Sequence, residues 1–233
     1  PDSLSGPTPL NDEVLCFPAS IAQESFFYLE ALNLHNAPFN VAVRFRLEGA
    51  LDTSCLKHAF AAVIARHEVL RTRFEEEDGE LRQLVQPVAE MSFDFHDISL
   101  LPPEVRDERL NALGLAEATK PFSLTEAPLM RALLVKITER ESILHVTVHH
   151  AVADGWSIGI LTRELAAFYE ALALGKPPAP EPLPIQYADF TIWQREFLEG
   201  PECVRQLDFW KRNLEGFSEP GLVTDHPRPL VKK

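Results

Sequence analysis

The sequence of 233 residues has little positive charge and no long apolar run. Its 22 Lys and Arg face 35 Asp and Glu, which gives a formal net charge of −13 and argues against binding of nucleic acid phosphates. No run reaches the roughly 18 apolar residues that a membrane span needs, so we do not expect an integral membrane protein. The N-terminus lacks a basic segment followed by an apolar one, so no secretory signal is visible.

Cysteine is also scarce, since the chain carries only Cys16, Cys55 and Cys203. They are far apart and odd in number, so they form neither a C-x-x-C metal pair nor a disulfide framework. No other cluster has the spacing of metal ligands, and the sequence therefore predicts no metal site. This cysteine usage fits a reducing, cytoplasmic location. Hydrophobic residues make up 45% of the chain, enough for the core of a soluble globular protein.

Hydrophobic periodicity alternates between helical and strand patterns along the chain. Helices are predicted at 20–34, 52–67, 103–117, 155–174, 187–198 and 203–214, and strands at 40–47, 130–137 and 143–150. Residues 70–76 and 81–85 form a predicted hairpin around Asp78 and Gly79. Five prolines between 175 and 184 indicate an extended crossing. This order predicts an α/β or α+β sandwich with helices against one large sheet.

The sharpest local signal is the H-H-x-x-x-D-G pattern at residues 149–155. Counting the preceding strand by twos places His149 and His150 on opposite faces, with His150 continuing the row of Leu144, Val146 and Val148. We therefore expect His150 to be partly desolvated and neutral near pH 7, as a general base must be. Adjacent histidines on opposite faces can hardly share one metal ion.

Structural explanations compete with catalysis at these positions. A histidine at a strand end is more often a hydrogen-bonded structural residue than a catalyst. Asp154 has an economical explanation as the N-cap of the predicted helix at 155–174. Gly155 permits a backbone conformation or a close approach that a side chain would prevent. The local residues alone leave both interpretations open.

The H-H-x-x-x-D-G pattern resembles the signature of the chloramphenicol-acetyltransferase-like acyltransferases. Four further segments resemble motifs of one branch, the condensation domains of nonribosomal peptide synthetases: S-x-A-Q at 20–23, R-H-E-x-L-R-T-x-F at 66–74, Y-x-D-F-x-x-W at 187–193, and the segment after it at 224–229. The family usually continues its opening motif with Arg and then Leu-Trp, where this chain has Glu24, Ser25, Phe26 and Phe27. Tyr187, Asp189 and Trp193 are expected to serve packing.

This resemblance implies a sandwich with a mixed, largely antiparallel sheet covered by helices, and an amide-bond-forming acyltransferase. The amine of an aminoacyl thioester would attack an acyl or peptidyl thioester, each carried on phosphopantetheine, without a directly bound cofactor. The implied partners are upstream and downstream peptidyl carrier proteins and an adjacent adenylation domain. Residues 1–174 would be an N-terminal lobe, and 175–233 a proline-rich crossing, two helices and the start of a linker to a missing second lobe. Alone, this lobe is expected to have little or no activity.

The resemblance also assigns roles to residues of the signature. His150 corresponds to the catalytic histidine, which would take the proton of the attacking amine or hold that amine and stabilise the tetrahedral intermediate. His149 would support it, and the backbone amide of Gly155 would face the thioester.

Asp154 corresponds to a structural aspartate that pairs with an arginine. Arg71 is the first candidate for this partner and Arg66 the second, because an arginine fork suits a carboxylate and the pair would fix the loop carrying His150. An exposed His150, or an Asp154 far from any arginine, would remove the physical basis of the catalytic assignment.

Three alternatives remain at this point. A stand-alone acyl-CoA-dependent acyltransferase fits the length as a trimer of single lobes, although its signature lies near the C-terminus and about 80 residues follow the signature here. An epimerisation domain shares H-H-x-x-x-D-G. A non-catalytic lobe that docks partners is the third.

Overall fold

The computed structural model of the chain describes residues 13–32, 37–218, 221, 225 and 226. Its contacts divide the chain into two compact units, Pro1–Trp193 and Gln194–Lys233. The predicted division of the domain at residues 174 and 175 stays a prediction. Most of the predicted motif at 224–229, and the end of the predicted helix at 20–34, lie outside the described residues.

The described strands form two sheets. They are β1 (Leu15–Pro18), β2 (Asn40–Glu48), β3 (Thr72–Glu77), β4 (Glu80–Val85), β5 (Ser92–Asp97), β6 (Met130–Thr138) and β7 (Glu141–His149). The larger sheet has the order β2-β7-β6-β5 and the smaller one β1-β4-β3. Every pair is antiparallel except β5 and β6, which are parallel. The predicted mixed, largely antiparallel arrangement is confirmed, but the expectation of one large sheet is wrong.

The helices lie close to their predicted positions. They are α1 (Ile21–Leu32), α2 (Thr53–Arg66), α3 (Pro103–Thr119), α4 (Gly155–Ala173), α5 (Tyr187–Glu199) and α6 (Pro201–Asn213), with a 3-10 helix at Glu68–Arg71. Local residues mark several of their starting points. Asp52 accepts a hydrogen bond from the backbone N–H of Cys55 and starts α2, whereas α3 and α6 have no side-chain cap and instead begin with a proline in the first turn. None of the described helices is long and apolar enough to cross a membrane.

The hairpin of β3 and β4 is confirmed, and its turn explains its register. Asp78 and Gly79 have φ angles of 52° and 81°, the left-handed conformations that a tight two-residue hairpin turn requires. Glu77 then pairs with Glu80 across the turn. Aspartate followed by glycine adopts these angles at low cost, so the sequence alone locates this turn.

The larger sheet is buried on both faces of its central strand, β7. Leu144, Val146 and Val148 belong to the main core, which α2 and α4 complete. Ile143 belongs to a second cluster on the other face, where Leu113 of α3 packs against it. The predicted alternation of β7 is therefore confirmed, and the strand brings the histidine motif to one end of the sheet.

A buried ion pair fastens the end of α3 to β6 beside that motif. The Nε of Arg131 lies 2.7 Å from Oε1 of Glu117, and both side chains are buried. The same guanidinium donates to the carbonyl of Lys120 and lies over the ring of Phe122, 3.9 Å from its centroid. Asn40, at the start of β2, donates a further hydrogen bond to the Lys120 carbonyl. These bonds satisfy carbonyls that the helix end leaves without partners.

Candidate active site

The two adjacent histidines of the signature lie in opposite environments. His149 ends β7 and is fully buried, whereas His150 lies beyond the strand and is exposed. The expectation of a partly desolvated His150 is therefore wrong for this chain. The pairing of β2 with β7 ends where His149 pairs with Asn40. His150 therefore lies one residue beyond the sheet, and the alternation counted along the strand no longer applies to it. Burial falls on its neighbour instead.

His149 is held in an aromatic pocket in which it stays neutral. Three phenylalanine rings make edge contacts with the imidazole, at centroid distances of 6.1 to 6.3 Å: those of Phe26, Phe39 and Phe122. Its Nδ1 accepts the backbone N–H of Ala151 at 3.1 Å, which places the proton of the neutral ring on Nε2. Burial, and secondarily the charge of the adjacent histidine, lowers the pKa of His149 to about 4.

Glu30 of α1 is a buried residue of this site that the sequence interpretation missed. Its Oε2 lies 3.8 Å from Nε2 of His149, and neither atom has a hydrogen-bond partner among the described residues. Burial raises the pKa of the Glu30 carboxyl. The available signal was its spacing, because Glu30 follows the buried Gln23 by seven residues and shares its helix face.

His150 is fixed by its backbone and by one aromatic ring. Its N–H donates to the carbonyl of Phe39 at 2.8 Å. The imidazole stacks on Phe26 of α1, with ring centroids 4.9 Å apart and planes 20° from parallel. No hydrogen bond to its ring nitrogens is found within the described part of the chain, so both nitrogens can meet a substrate.

Asp154 caps a helix and does not pair with an arginine. Its Oδ1 accepts the backbone N–H of Ser157 at 2.8 Å and the Ser157 hydroxyl at 2.7 Å, at the start of α4. These hydrogen bonds lower the pKa of the exposed Asp154 carboxyl. Among the described residues no arginine lies within salt-bridge distance of it, so the predicted pair is wrong and the N-cap interpretation is confirmed.

Both arginines predicted for that pair have other partners. The Nε of Arg66 lies 3.1 Å from Oε1 of Glu164. Arg71 pairs with Glu68 at 3.3 Å and donates to the carbonyl of Gln86. Both guanidinium groups are engaged by these partners, although Nε of Arg71 is buried without a hydrogen-bond partner among the described residues, and neither arginine pairs with Asp154.

The R-H-E segment at 66–68 instead binds α4 and the proline-rich crossing. Glu164 of α4 accepts from Arg66 and also lies 2.6 Å from Nε2 of His67. The backbone N–H of Glu68 donates to the Gln186 side chain, which in turn donates to the Arg66 carbonyl. A second bond from Arg66 reaches the carbonyl of Glu181. This motif therefore fixes where the crossing lies on the first unit.

The S-x-A-Q and Y-x-D-F segments also meet each other. Ser20 and Gln23 exchange reciprocal hydrogen bonds that start α1, the pattern of a capping box. The Ser20 hydroxyl lies 3.0 Å from the hydroxyl of Tyr187 on α5. Asp189 accepts the backbone N–H of Gln186 and starts α5. The contacts of these motifs are structural, in line with the packing role expected for the Y-x-D-F segment.

Gly155 has no steric need to be glycine within this chain. A Cβ built there meets no atom within 4 Å, and the residue is the first of α4. Its backbone φ is not in the left-handed region.

The described residues contain no group of three or more His, Cys, Asp or Glu side chains that could hold a metal ion.

Comparison with known proteins supplies the family. A model of the condensation domain matches residues 16–233. The chain belongs to the condensation domain family. It is 39% identical over 217 residues to a linear gramicidin synthase of Brevibacillus parabrevis, covering 92% of this chain and 3% of that protein. It is 35% identical to phosphinothricin tripeptide synthetase PhsC of Streptomyces viridochromogenes, covering 92% of this chain and 20% of that protein.

Solved structures share the fold of this condensation-family chain. The starter condensation domain of rhizomide synthetase superposes with a TM-score of 0.80 at 21% identity, covering 88% of this chain and 49% of that one. The X-domain in complex with OxyB from teicoplanin biosynthesis gives 0.81 at 28% identity, covering 99% and 50%. The predicted sandwich fold is confirmed. The chain spans a small part of the curated relatives and about half of these structures.

Proposed function

We propose that this chain supplies His150 to amide-bond formation in nonribosomal peptide synthesis. The amine nitrogen of an aminoacyl thioester attacks the carbonyl carbon of an acyl or peptidyl thioester. The C–S bond breaks in the resulting tetrahedral intermediate, and the amine proton passes by way of the imidazole to the departing thiolate. The thioester provides the driving energy, and both substrates arrive on phosphopantetheine arms, so the reaction uses no directly bound cofactor.

The two features expected to support a catalytic His150, a desolvated ring and an Asp154–arginine pair, are absent from this chain, so the proposal rests on the signature itself in a chain of the condensation domain family. Within that signature, the buried neutral His149 anchors the turn that carries the exposed His150. The backbone bond to Phe39 and the stack on Phe26 hold this ring at one place on the surface. A general base must be in hydrogen-bond reach of the proton that it takes, and an accessible, oriented imidazole meets this need.

The exposure of His150 bears on how complete the site is. This chain by itself does not desolvate the imidazole, and an acyl-transfer site works best with water excluded. The family structures are about twice as long as the chain, which supports a second lobe that covers His150. In this proposal residues 1–174 are the N-terminal lobe, 175–233 lead to the second lobe, and Gly155 leaves space for a thioester rather than for another residue of this chain.

The partners in this proposal are an upstream and a downstream peptidyl carrier protein, an adjacent adenylation domain and the second lobe. The much longer synthetases among the relatives support such an arrangement. The isolated chain is then expected to have little or no condensation activity. Measurable turnover by the purified chain, with donor and acceptor loaded on carrier proteins, would contradict this part of the proposal.

The deciding experiment is His150→Ala in the synthetase that contains this chain, with peptide product measured by mass spectrometry from preloaded carriers. We expect the condensation rate to fall about 100-fold or more, because a positioned acid–base group contributes roughly 100- to 10,000-fold. His96→Ala is the matched control, since His96 is an exposed histidine on β5, outside every motif of the family. Both variants should keep the wild-type circular dichroism spectrum.

An unchanged rate in His150→Ala would overturn the catalytic assignment. Two features of the site already favour the docking alternative in that event, namely the exposed imidazole and an Asp154 that only caps α4. Under the docking alternative, the His150→Ala protein would still bind the donor carrier protein, and another part of the synthetase would catalyse the acyl transfer.

A further inference from the structure

Phe26 is in contact with both histidines of the signature. Its ring stacks on His150 at 4.9 Å and meets His149 edge-on at 6.3 Å, with planes 87° apart. It also meets Phe39 edge-on at 5.2 Å, and the carbonyl of Phe39 accepts the N–H of His150. One ring of α1 therefore touches the buried histidine, the exposed histidine and the residue that anchors the exposed one.

The position of this ring is itself well defined. Gln23, one turn earlier on α1, is fully buried and closes the capping box with Ser20. Glu30, one turn later, is buried against His149. Residues three and four apart share a helix face, so Phe26 lies on the inward stripe between two fixed points. The half-buried Phe26 side chain also packs against the main core.

The stack restricts a side chain that otherwise has freedom. The backbone of His150 is tied to Phe39, but no hydrogen bond to the imidazole nitrogens occurs in the described ranges. The ring plane is then set by packing alone, and Phe26 is the aromatic partner stacked on it. The free energy of one aromatic pair corresponds to a factor of roughly two to ten in the population of the stacked orientation.

We propose that Phe26 is a positioning residue, whose ring holds the imidazole plane of His150 in the orientation that meets the reacting amine. This inference rests on the proposed catalytic role of His150. Phe26 and Phe27 stand where the family motif usually has Leu-Trp, and a leucine has no ring plane on which an imidazole can stack. The chain thus places an aromatic face under this histidine at a position where the family motif usually has leucine.

The variant that tests this inference is Phe26→Leu, with Phe27→Leu as matched control. Phe27 is the next residue of α1, is also half-buried, and its ring contact within the described residues is with Tyr28 rather than with a histidine. Both substitutions remove the same atoms from the same helix. Only the first removes the stack.

Two measurements separate positioning from a merely structural role. In nuclear magnetic resonance spectra of the 233-residue chain, the ring current of Phe26 should shift the imidazole protons of His150 upfield of those of exposed His96, and Phe26→Leu should abolish that difference. In the whole synthetase, Phe26→Leu should lower kcat about threefold to tenfold with KM unchanged. Phe27→Leu should change neither the chemical shift nor kcat, and Phe26→Tyr, which keeps an aromatic ring under His150, should keep the wild-type kcat.

The outcomes that overturn the inference are distinct from those that overturn the proposed function. If the His150 protons of the wild-type chain show no upfield shift, the ring does not stack on Phe26, and this result is informative even if Phe26→Leu does not fold. Equal kcat losses in Phe26→Leu and Phe27→Leu, or no loss in the former, would remove the positioning role while His150→Ala still abolishes condensation. If His150→Ala is active, the proposed function fails, whatever the spectra show.

Discussion

Gly114 of α3 faces His145 of β7 so closely that a Cβ on the glycine would lie 2.5 Å from Cε1 of the imidazole. The missing side chain lets the helix pack directly over a buried histidine of the central strand. Burial, and secondarily the charge of Arg44, lowers the pKa of His145, which keeps it neutral at this contact. The approach of α3 to the larger sheet thus depends on one glycine.

Gly114→Ala should destabilise the protein through this contact. Gly159→Ala is the control, because Gly159 also lies within a helix and an added Cβ there would come no closer than 3.8 Å to another atom. Both variants gain the same helix preference, so the difference between their free energies of unfolding measures the clash. We expect about 1–3 kcal/mol, measured by urea denaturation. Equal stability of the two variants would contradict the close approach.

Glu164→Gln should loosen the attachment of the proline-rich crossing. The substitution removes the charge that bridges Arg66 and His67. A hydrogen bond to a charged group contributes about 1.5–3 kcal/mol, so we expect a loss of that order in the free energy of unfolding. Hydrogen exchange at the Glu68 amide, which donates to Gln186, should also become faster.

Glu170→Gln provides the control for that prediction. Glu170 is an exposed glutamate on the same helix, and the change there should stay within about 0.5 kcal/mol. Comparable losses in the two variants would mean that the bridge at Glu164 contributes no more than any surface carboxylate of α4.

Tyr187→Phe should weaken the contact between the S-x-A-Q and Y-x-D-F segments. It removes only the hydroxyl that lies 3.0 Å from that of Ser20, and we expect a loss of about 0.5–1.5 kcal/mol on thermal or urea unfolding. Tyr28→Phe is the comparison, because Tyr28 is exposed on α1 and its hydroxyl is not part of this contact. If Ser20→Ala and Tyr187→Phe act additively, the two hydroxyls do not interact.

Acid should destabilise the fold through His149. Its pKa is lowered from an ordinary 6.5 to about 4, so below pH 6.5 the unfolded chain binds a proton that the folded chain does not bind until about pH 4. The stability that the neutral His149 contributes is therefore fully present above pH 6.5, and it falls by about 3 kcal/mol between pH 6.5 and about pH 4. Glu30, with its raised pKa, works in the opposite direction and adds stability as it is protonated.

His149→Asn isolates the histidine in this pH dependence. The asparagine oxygen can still accept the Ala151 amide, and Glu30 remains in place, so the difference between the wild-type and variant curves reports His149. His96→Asn, at an exposed site on β5, should leave the wild-type curve unchanged. Parallel curves for wild type and His149→Asn would show that His149 titrates alike in the folded and unfolded chains.

Much of the fold could be predicted because its signals are local. Asp78 and Gly79 determine a turn by their own conformations, and the alternation along β7 reflects burial on both faces. The strands β1 and β5 were missed for the same physical reason. One is four residues long, and the other leaves five of its six side chains exposed, so neither has a buried row that would mark it.

The site was less predictable because its contacts are distant in the sequence. Arg66 meets Glu164 across 98 positions, and nothing in a chain with 35 acidic residues singles out this carboxylate over Asp154. The burial of His149 rather than His150 depends on where the ladder with β2 stops, which is a property of the partner strand. The motif singled out the residues, and the tertiary structure decided their environments.

The opposite exposures of His149 and His150 have a consequence for mutational surveys. Substitutions at 149 should reduce the yield of folded protein, since they disturb a fully enclosed side chain. Substitutions at 150 should leave abundance intact and reduce output per molecule. A survey that scores only cellular protein level would rank the second histidine as dispensable, whereas one that scores only peptide product would give the two neighbours the same grade for unrelated reasons.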